Sequence, residues 1–201
     1  STVFWLSIRD LIILNLNFFF FYKVKGAGNN VPDELISLLI PARNEEDNIE
    51  ACVLSVLNQQ YSDFELIILN DNSTDGTGEV LNKLASKDKR IKILNGNILP
   101  NGWVGKNFAC HQLQKEAKGN YLLFIDADTE LSSDCLGRVI SFAVLKNSDL
   151  LSVMPNEITG SFWEKVTIPM LYFAVMAFIL IAFIERLKSN KFAMGNGQFM
   201  F

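Results

Sequence analysis

Tyr121-Leu122-Leu123-Phe124-Ile125-Asp126-Ala127-Asp128 is the stretch on which the reading of this chain turns. Apolar and aromatic residues run unbroken into two carboxylates, the pattern of a buried strand that ends at a polar edge. An earlier run, Phe64-Glu65-Leu66-Ile67-Ile68-Leu69, ends in the same way on Asn70 and Asp71. In open α/β sheets ligands bind beyond the carboxyl ends of the strands, so both runs carry acid to the edge where chemistry is done. Residues two apart on an extended chain point the same way, which lets Asp126 and Asp128 share one cation, or a cation plus a sugar hydroxyl. The pattern predicts an enzyme acting on a phosphorylated, metal-bound substrate.

Outward from that strand, short apolar runs alternate with stretches of helical spacing. Ile36-Ser37-Leu38-Leu39-Ile40 reads as a strand ended by Pro41, followed by a helix carrying Ile49, Cys52, Val53, Val56 and Leu57. Asn44 is expected to cap that helix, with Glu45, Glu46 and Asp47 at its positive end. The turn Asn70-Asp71-Asn72-Ser73-Thr74-Asp75-Gly76 leads into a helix through Val80, Leu81 and Leu84. Next come a strand at Ile91-Lys92-Ile93-Leu94, a Gly- and Asn-rich loop from Asn95 to Gly105, and a helix with Phe108, Ala109 and Leu113. A helix from about Asp134 to Lys146 and a strand at Leu150-Leu151-Ser152-Val153-Met154 complete the series. Strands alternating with helices predict an α/β fold: a mostly parallel sheet covered on both faces.

The 201 residues suffice for one ordinary domain with a real core, without disulfides or a structural metal. Cys52, Cys110 and Cys135 are odd in number and sit among apolar residues, so they read as reduced core thiols in a cytosol-facing domain. Lysine and arginine number 18 against 22 aspartates and glutamates, a net charge of -4 that argues against a nucleic-acid polymer as partner. A polyphosphate ligand therefore needs local help from a metal or from a particular cation.

Two stretches lift the mean hydropathy to +0.20. Ser1 to Tyr22 contains Phe4-Trp5-Leu6, Leu11-Ile12-Ile13-Leu14 and Phe18-Phe19-Phe20-Phe21, interrupted by Arg9, Asp10, Asn15 and Asn17. It shows neither a positive leader nor a small-residue cleavage site, and reads as the remnant of a membrane-anchoring or interfacial helix, with Lys23 and Lys25 on its cytoplasmic flank. Val166 to Ile184 is uncharged for 19 residues between Lys165 and Glu185. As a helix it would measure about 28 Å at ~1.5 Å per residue, close to a bilayer core, so membrane contact is expected, either across the bilayer or within its interface.

Three blocks, taken together, resemble the family 2 glycosyltransferases. They are Ile40-Pro41-Ala42-Arg43-Asn44-Glu45-Glu46, Leu69-Asn70-Asp71-Asn72-Ser73-Thr74-Asp75-Gly76-Thr77, and Asp126-Ala127-Asp128. Gly102-Trp103-Val104-Gly105-Lys106 and Gly195-Asn196-Gly197-Gln198-Phe199 are similar to the branch that acts on membrane lipids, including carotenoid and hopanoid-associated glycosyltransferases. The resemblance implies a GT-A fold that binds a nucleotide-diphosphate sugar, a UDP-sugar being the expected donor, and passes a hexose to a lipid acceptor with inversion. It implies that Pro41, Ala42, Arg43, Asn44 and Glu45 border the nucleotide, that Asp71 accepts a hydrogen bond from the base, and that Asp126 and Asp128 handle the ribose and the metal. The family often has two acids at the second block, where this chain has Asn70 before Asp71. The general base of such enzymes lies beyond the Gly197 block, so the catalytic base is expected past Phe201, in a chain that is C-terminally incomplete.

The residues themselves agree with those roles. Breaking a sugar–phosphate bond leaves negative charge on the diphosphate, which a divalent cation stabilises as a Lewis acid. Hard carboxylate oxygens suit Mg²⁺ or Mn²⁺, with substrate phosphates completing the shell. Lys106 follows two glycines at an expected helix start, where backbone donors and a cation both favour phosphate. It does not make a P-loop, because Pro100 stands where that spacing needs glycine and Asn107 replaces Ser or Thr. Domain boundaries follow: an anchor remnant at 1–25, a linker at 26–35, a nucleotide-sugar-binding domain at 36–158, a hydrophobic membrane-associated segment at 159–190, and the start of an acceptor-side region at 191–201. The expected location is the cell membrane, with the catalytic domain facing the cytoplasm.

Rival readings exist for several of these residues. Phe124-Ile125-Asp126-Ala127-Asp128-Thr129 is similar to the nucleophile motif of haloacid-dehalogenase-type phosphatases, which would make Asp126 the nucleophile and Asp128 the acid/base. A non-catalytic, membrane-tethered nucleotide-sugar-binding module is a third possibility. Asp75 reads as a turn and helix-cap residue, and His111 as structural or surface. Trp103 reads either as a stacking platform for sugar or lipid, or as a loop aromatic packed on its own domain.

Overall fold

The computed structural model describes residues 9–17, 32–153, 156, 158–178 and 199–200. In chain order these form α1 (9–17), β1 (Ile36–Ala42), α2 (Ile49–Leu57), β2 (Phe64–Asn70), α3 (Thr77–Lys87), β3 (Ile91–Asn95), α4 (Gly105–Glu116), β4 (Tyr121–Ile125), α5 (Cys135–Lys146), α6 (Phe162–Phe178) and β5 (Phe199–Met200). The chain divides into two compact units. One comprises Ser1–Lys23 with Asn156–Met194, the other Val24–Pro155 with Gly195–Phe201.

The larger unit is built on a five-stranded sheet in the order β3-β2-β1-β4-β5. The first four strands are parallel and β5 runs antiparallel to β4. This is the mostly parallel α/β sheet that the alternating pattern predicts. β1 lies at its centre because its residues are apolar on both faces, as a strand covered from two sides must be. Alternate side chains divide the core accordingly. Ile36, Leu38, Ile40, Leu66, Ile68, Leu123 and Ile125 face a large cluster with residues of α2, α3 and α5. Leu39, Ile67 and Leu69 face the opposite way, onto Ala109 and Leu113 of α4.

The amino-terminal edge of the sheet is locked by a buried serine. Ser37 Oγ donates to Glu65 Oε1 at 2.5 Å and accepts from the Gly119 N–H at 2.8 Å. A Cβ at Gly119 would stand 2.5 Å from the Ser37 nitrogen and 2.7 Å from the Leu35 oxygen, so only glycine permits this approach. With that edge fixed, the registers follow: Ala42 pairs with Asn70, and Leu39 with Phe124. The carboxyl ends of β1, β2 and β4 thus reach one rim.

Two expectations are corrected. Asn44 does not cap α2, which begins at Ile49 after an Asn48 whose side chain makes no capping bond. Leu150–Met154 is not a strand among the described residues: Ser152 forms only an isolated bridge, while Leu151 and Val153 still pack on the core. An apolar run records burial, and burial does not require a ladder. The three cysteines are free thiols, with Cys52 buried.

In the smaller unit, α6 starts with a reciprocal cap. Glu164 Oε2 accepts from the N–H groups of Gly160 at 2.8 Å and Ser161 at 3.1 Å, and Ser161 Oγ accepts from the Glu164 N–H at 3.2 Å. The helix carries Pro169 in its interior and exposes Phe162, Trp163, Met170, Leu171 and Phe173. Asn17 Nδ2 of α1 donates to the Met176 carbonyl of α6 at 2.7 Å. Among the described residues no helix is long and apolar enough to cross a membrane. The remainder of the Val166–Ile184 stretch past Phe178, the linker Gly26–Asn30 and most of the Gly195–Phe199 block lie outside the described residues.

Candidate functional site

The strand ends converge on a cavity of about 250 Å³ lined by Pro41, Ala42, Arg43, Glu45, Asp71, Gly105, Lys106, Ala109, Asp126, Ala127 and Asp128. Every strand-end acid singled out in the sequence is there, together with the first turn of α4. Of the predicted site residues, Asn44 alone stays out of the lining. It sits in the left-handed region with φ of 56°, which asparagine tolerates better than most residues. Its Oδ1 accepts from the Thr74 N–H at 2.8 Å, and its own N–H donates to Ser73 Oγ at 3.1 Å. Asn44 therefore ties the loop after β1 to the loop after β2.

That tie is one of several. The Glu45 N–H donates to Thr77 Oγ1 at 2.8 Å, the Glu46 N–H to Asp75 Oδ2 at 3.2 Å, and the Gly76 N–H to Glu46 Oε2 at 2.6 Å. Asp75 Oδ1 in turn accepts from the Thr77 N–H and hydroxyl at 3.1 and 2.5 Å. The Thr77 hydroxyl, ahead of the backbone N–H groups, holds the Asp75 carboxyl below its ordinary value. Asp75 is a turn residue, as its sequence context predicts, but it does not stand at the cap of α3, whose N-cap is Gly76.

Asp71 is placed chiefly by its backbone, and its Oδ1 accepts from Asn72 Nδ2 at 3.4 Å. Its N–H donates to the Ala42 carbonyl at 2.8 Å, continuing the β1–β2 ladder one residue past the strand. Asn70 shapes the turn beneath it, its side-chain oxygen accepting from the Ser73 N–H at 3.2 Å. Gly96 presses against the other side. Its N–H donates to the Asn70 carbonyl at 2.8 Å, and a Cβ there would meet Asp71 Oδ1 at 2.8 Å and Asp71 Cα at 3.0 Å. Sequence reasoning passed over Gly96, whose only signal is the Asn-Gly pair at the end of β3.

Asp126 is held at both ends of its peptide. Ile125 and Ala127 are buried, and the Asp126 carbonyl accepts from the Thr129 N–H at 3.1 Å and from the Cys52 thiol at 3.7 Å. Burial, with the Asp128 carboxylate adding to it, pushes the Cys52 thiol up to about 12, so a neutral thiol underlies the acidic turn. Lys106 closes the arrangement: its Nζ lies 2.6 Å from Asp126 Oδ1. Ion pairs as exposed as this one contribute about 0–1 kcal/mol, so little opposes its opening.

Across the lining, Arg43 and Lys106 face Glu45, Asp71, Asp126 and Asp128, two cations against four carboxylates. Excess negative charge in a cavity disfavours an anionic polyphosphate unless a cation accompanies it. The donor set is hard oxygen, which fits Mg²⁺ or Mn²⁺. Among the described residues no group of three or more His, Cys, Asp or Glu side chains could hold a metal by itself. A cation bound there would need further ligands from elsewhere to complete its shell. Trp103 packs on its own domain, stacked on His111 with centroids 4.8 Å apart and edge-on to Phe108 at 5.4 Å.

A sheet of this order with acids at its carboxyl rim is consistent with the GT-A type of glycosyltransferase fold, and solved structures share that fold. A mannosyltransferase from Pyrobaculum calidifontis, solved in complex with GDP-Man and Mn²⁺, superposes with a TM-score of 0.62 at 17% identity, over 75% of this chain and 44% of that one. TarS from S. aureus superposes with a TM-score of 0.53 at 24% identity, over 63% and 22%. The family described as Glycosyl transferase family 2 matches residues 37–194, and the chain belongs to it.

Among curated relatives, a 4,4'-diaponeurosporenoate glycosyltransferase of Staphylococcus haemolyticus is 29% identical over 80% of this chain and 42% of its own length. An uncharacterized glycosyltransferase of Haemophilus influenzae is 34% identical over 56% and 43%. The chain therefore spans less than half the length of these relatives. The family match includes Asp126 and Asp128, so the Phe124–Thr129 motif lies within the matched family 2 region.

Proposed function

We propose that the chain is the donor-binding part of a metal-dependent, inverting glycosyltransferase that passes a hexose from a nucleotide-diphosphate sugar to a lipid acceptor at the membrane. The observation that carries this reading is the meeting of Arg43, Asp71, Lys106, Asp126 and Asp128 around one cavity at the carboxyl rim of the sheet. In it, Pro41, Ala42, Arg43 and Glu45 border the nucleotide, with Asn44 fixing their loop. Asp71 accepts from the base, and its nearness to Gly96 orients the carboxylate. Asp126 and Asp128 hold the cation, and Asp126 also meets the ribose. The cation, when bound, stabilises the charge that develops on the leaving diphosphate. The first turn of α4, whose N-cap Val104 makes no side-chain cap, places its backbone N–H groups and Lys106 at the cavity, where both favour phosphate.

The acceptor assignment draws on the carotenoid-related relative, whose name states its substrate, and on exposed apolar side chains. Leu11 and Ile12 in α1, and Phe162, Trp163, Met170 and Leu171 in α6, suit a lipid interface. The same reading has the catalytic domain face the cytoplasm at the cell membrane, with Lys23 and Lys25 following the first apolar stretch. UDP-sugars are the first donors to try. The mannosyltransferase complex makes GDP-mannose the second.

The test is transfer of labelled hexose from UDP-sugars and GDP-mannose to an apolar lipid extract with Mn²⁺ present. Label in the lipid phase supports the reading. Donor binding without transfer, persisting in the longest natural form of the protein, would favour a non-catalytic binding module. A covalent phosphate on Asp126 would restore the phosphatase alternative.

A further inference from the structure

We propose that Lys106 is a built-in surrogate cation. In the donor-free protein its ammonium occupies Asp126, and it moves to the diphosphate when donor enters, so that metal and donor each clear the way for the other. The proposal rests on the donor-site reading above and adds an order of events to it.

Three features of the site carry it. The Lys106 ammonium lies 2.6 Å from Asp126 Oδ1, within the same cavity as Asp71 and Asp128. A divalent cation approaching Asp126 must therefore compete with a charge already in place. The two partners are unequally fixed: the Lys106 side chain is 52% exposed on a flexible four-carbon stem, whereas Asp126 is 22% exposed and its carbonyl is held by Thr129 and Cys52. When the pair opens, the lysine moves. Finally, Lys106 stands in the first turn of α4 beside backbone N–H groups that no side chain caps, so the position to which it would swing already favours phosphate.

Charge makes the exchange reciprocal. With four carboxylates against two cations in its lining, the cavity disfavours an anionic donor until a divalent cation accompanies it. The cation in turn meets Lys106 until a phosphate draws the ammonium away. Each ligand then raises the affinity for the other by one and the same factor, as linkage requires.

The experiment titrates Mn²⁺, read by its EPR signal, into the protein with and without UDP and then GDP, comparing wild type with K106M and K106R. Wild type is expected to bind Mn²⁺ weakly alone and about tenfold or more tightly with nucleotide, within the usual range of coupling. K106M frees Asp126, so Mn²⁺ alone binds about threefold or more tightly than in wild type and the nucleotide adds less. K106R keeps a cation on Asp126 and stays close to wild type. Lys106 is half exposed, so an unchanged melting temperature will show that the variants fold. Nucleotide binding with Mn²⁺ affinity unchanged or weakened in K106M overturns the role of Lys106 alone. Failure of wild type to bind either nucleotide with Mn²⁺ overturns the donor reading, and this proposal with it.

Discussion

Gly96→Ala is the substitution that most sharply joins fold to function. The added methyl would sit 2.8 Å from Asp71 Oδ1, 3.0 Å from Asp71 Cα and 3.3 Å from the Asn70 carbonyl oxygen. A carboxylate oxygen can rotate away, but two of these three neighbours are backbone, and the Asp71 N–H is already committed to Ala42 at 2.8 Å. Relief must come from moving the turn after β2. Overpacking of this kind costs about 1–3 kcal/mol. In a chain of this size that lowers the melting temperature by roughly 2–12 °C.

Because the displaced residue is Asp71, base recognition should suffer more than phosphate binding. Uridine-containing ligands should weaken, while affinity for inorganic pyrophosphate with Mn²⁺ holds. Thermal unfolding and calorimetry read both effects. A G96A protein that melts within about 1 °C of wild type and binds UDP unchanged would refute the packing argument outright.

Thr77→Val removes a hydroxyl that accepts from the Glu45 N–H and donates to Asp75, and chemical denaturation should show a loss of about 1–3 kcal/mol with weaker nucleotide binding. Asp75 has its carboxyl lowered in the folded state, so its contribution is present above the unfolded value of 3.8 and lost as pH falls through the folded one. D75N should accordingly flatten the fall of melting temperature at acid pH. The Cys52 thiol is raised instead, to about 12 from 9.0. Its contribution is full below 9.0 and lost as pH climbs, and Cys52 should resist alkylation at pH 8 until the protein unfolds. Cys110, where Lys106 opposes the upward push of burial, should react first.

The central strands and the acids at their ends were legible because a strand buried on both faces writes an unbroken apolar run, and the turn beyond it writes the first polar residue. That is how Asp71, Asp126 and Asp128 can be placed on one rim before any register is known. Contacts set by separate loops left no such mark. The role of Asn44 depends on Thr74, thirty residues on, and on a left-handed backbone that asparagine tolerates without advertising. Gly96 matters only because β3 lies beside β2, and the Lys106–Asp126 pair only because α4 starts at the same rim as β4 ends. The Ser161–Glu164 cap had a readable Ser-x-x-Glu spacing ahead of the apolar run. Leu150–Met154 failed for a plainer reason: apolar residues pack on a core whether or not they pair.

The most direct measurement is calorimetric titration of a UDP-sugar into wild-type protein and D128N, each with Mn²⁺ and again with EDTA. The account predicts binding by wild type with Mn²⁺, loss of that binding in EDTA, and no Mn²⁺-dependent binding by D128N. Equal affinity with and without the cation, or a D128N protein indistinguishable from wild type, would contradict it.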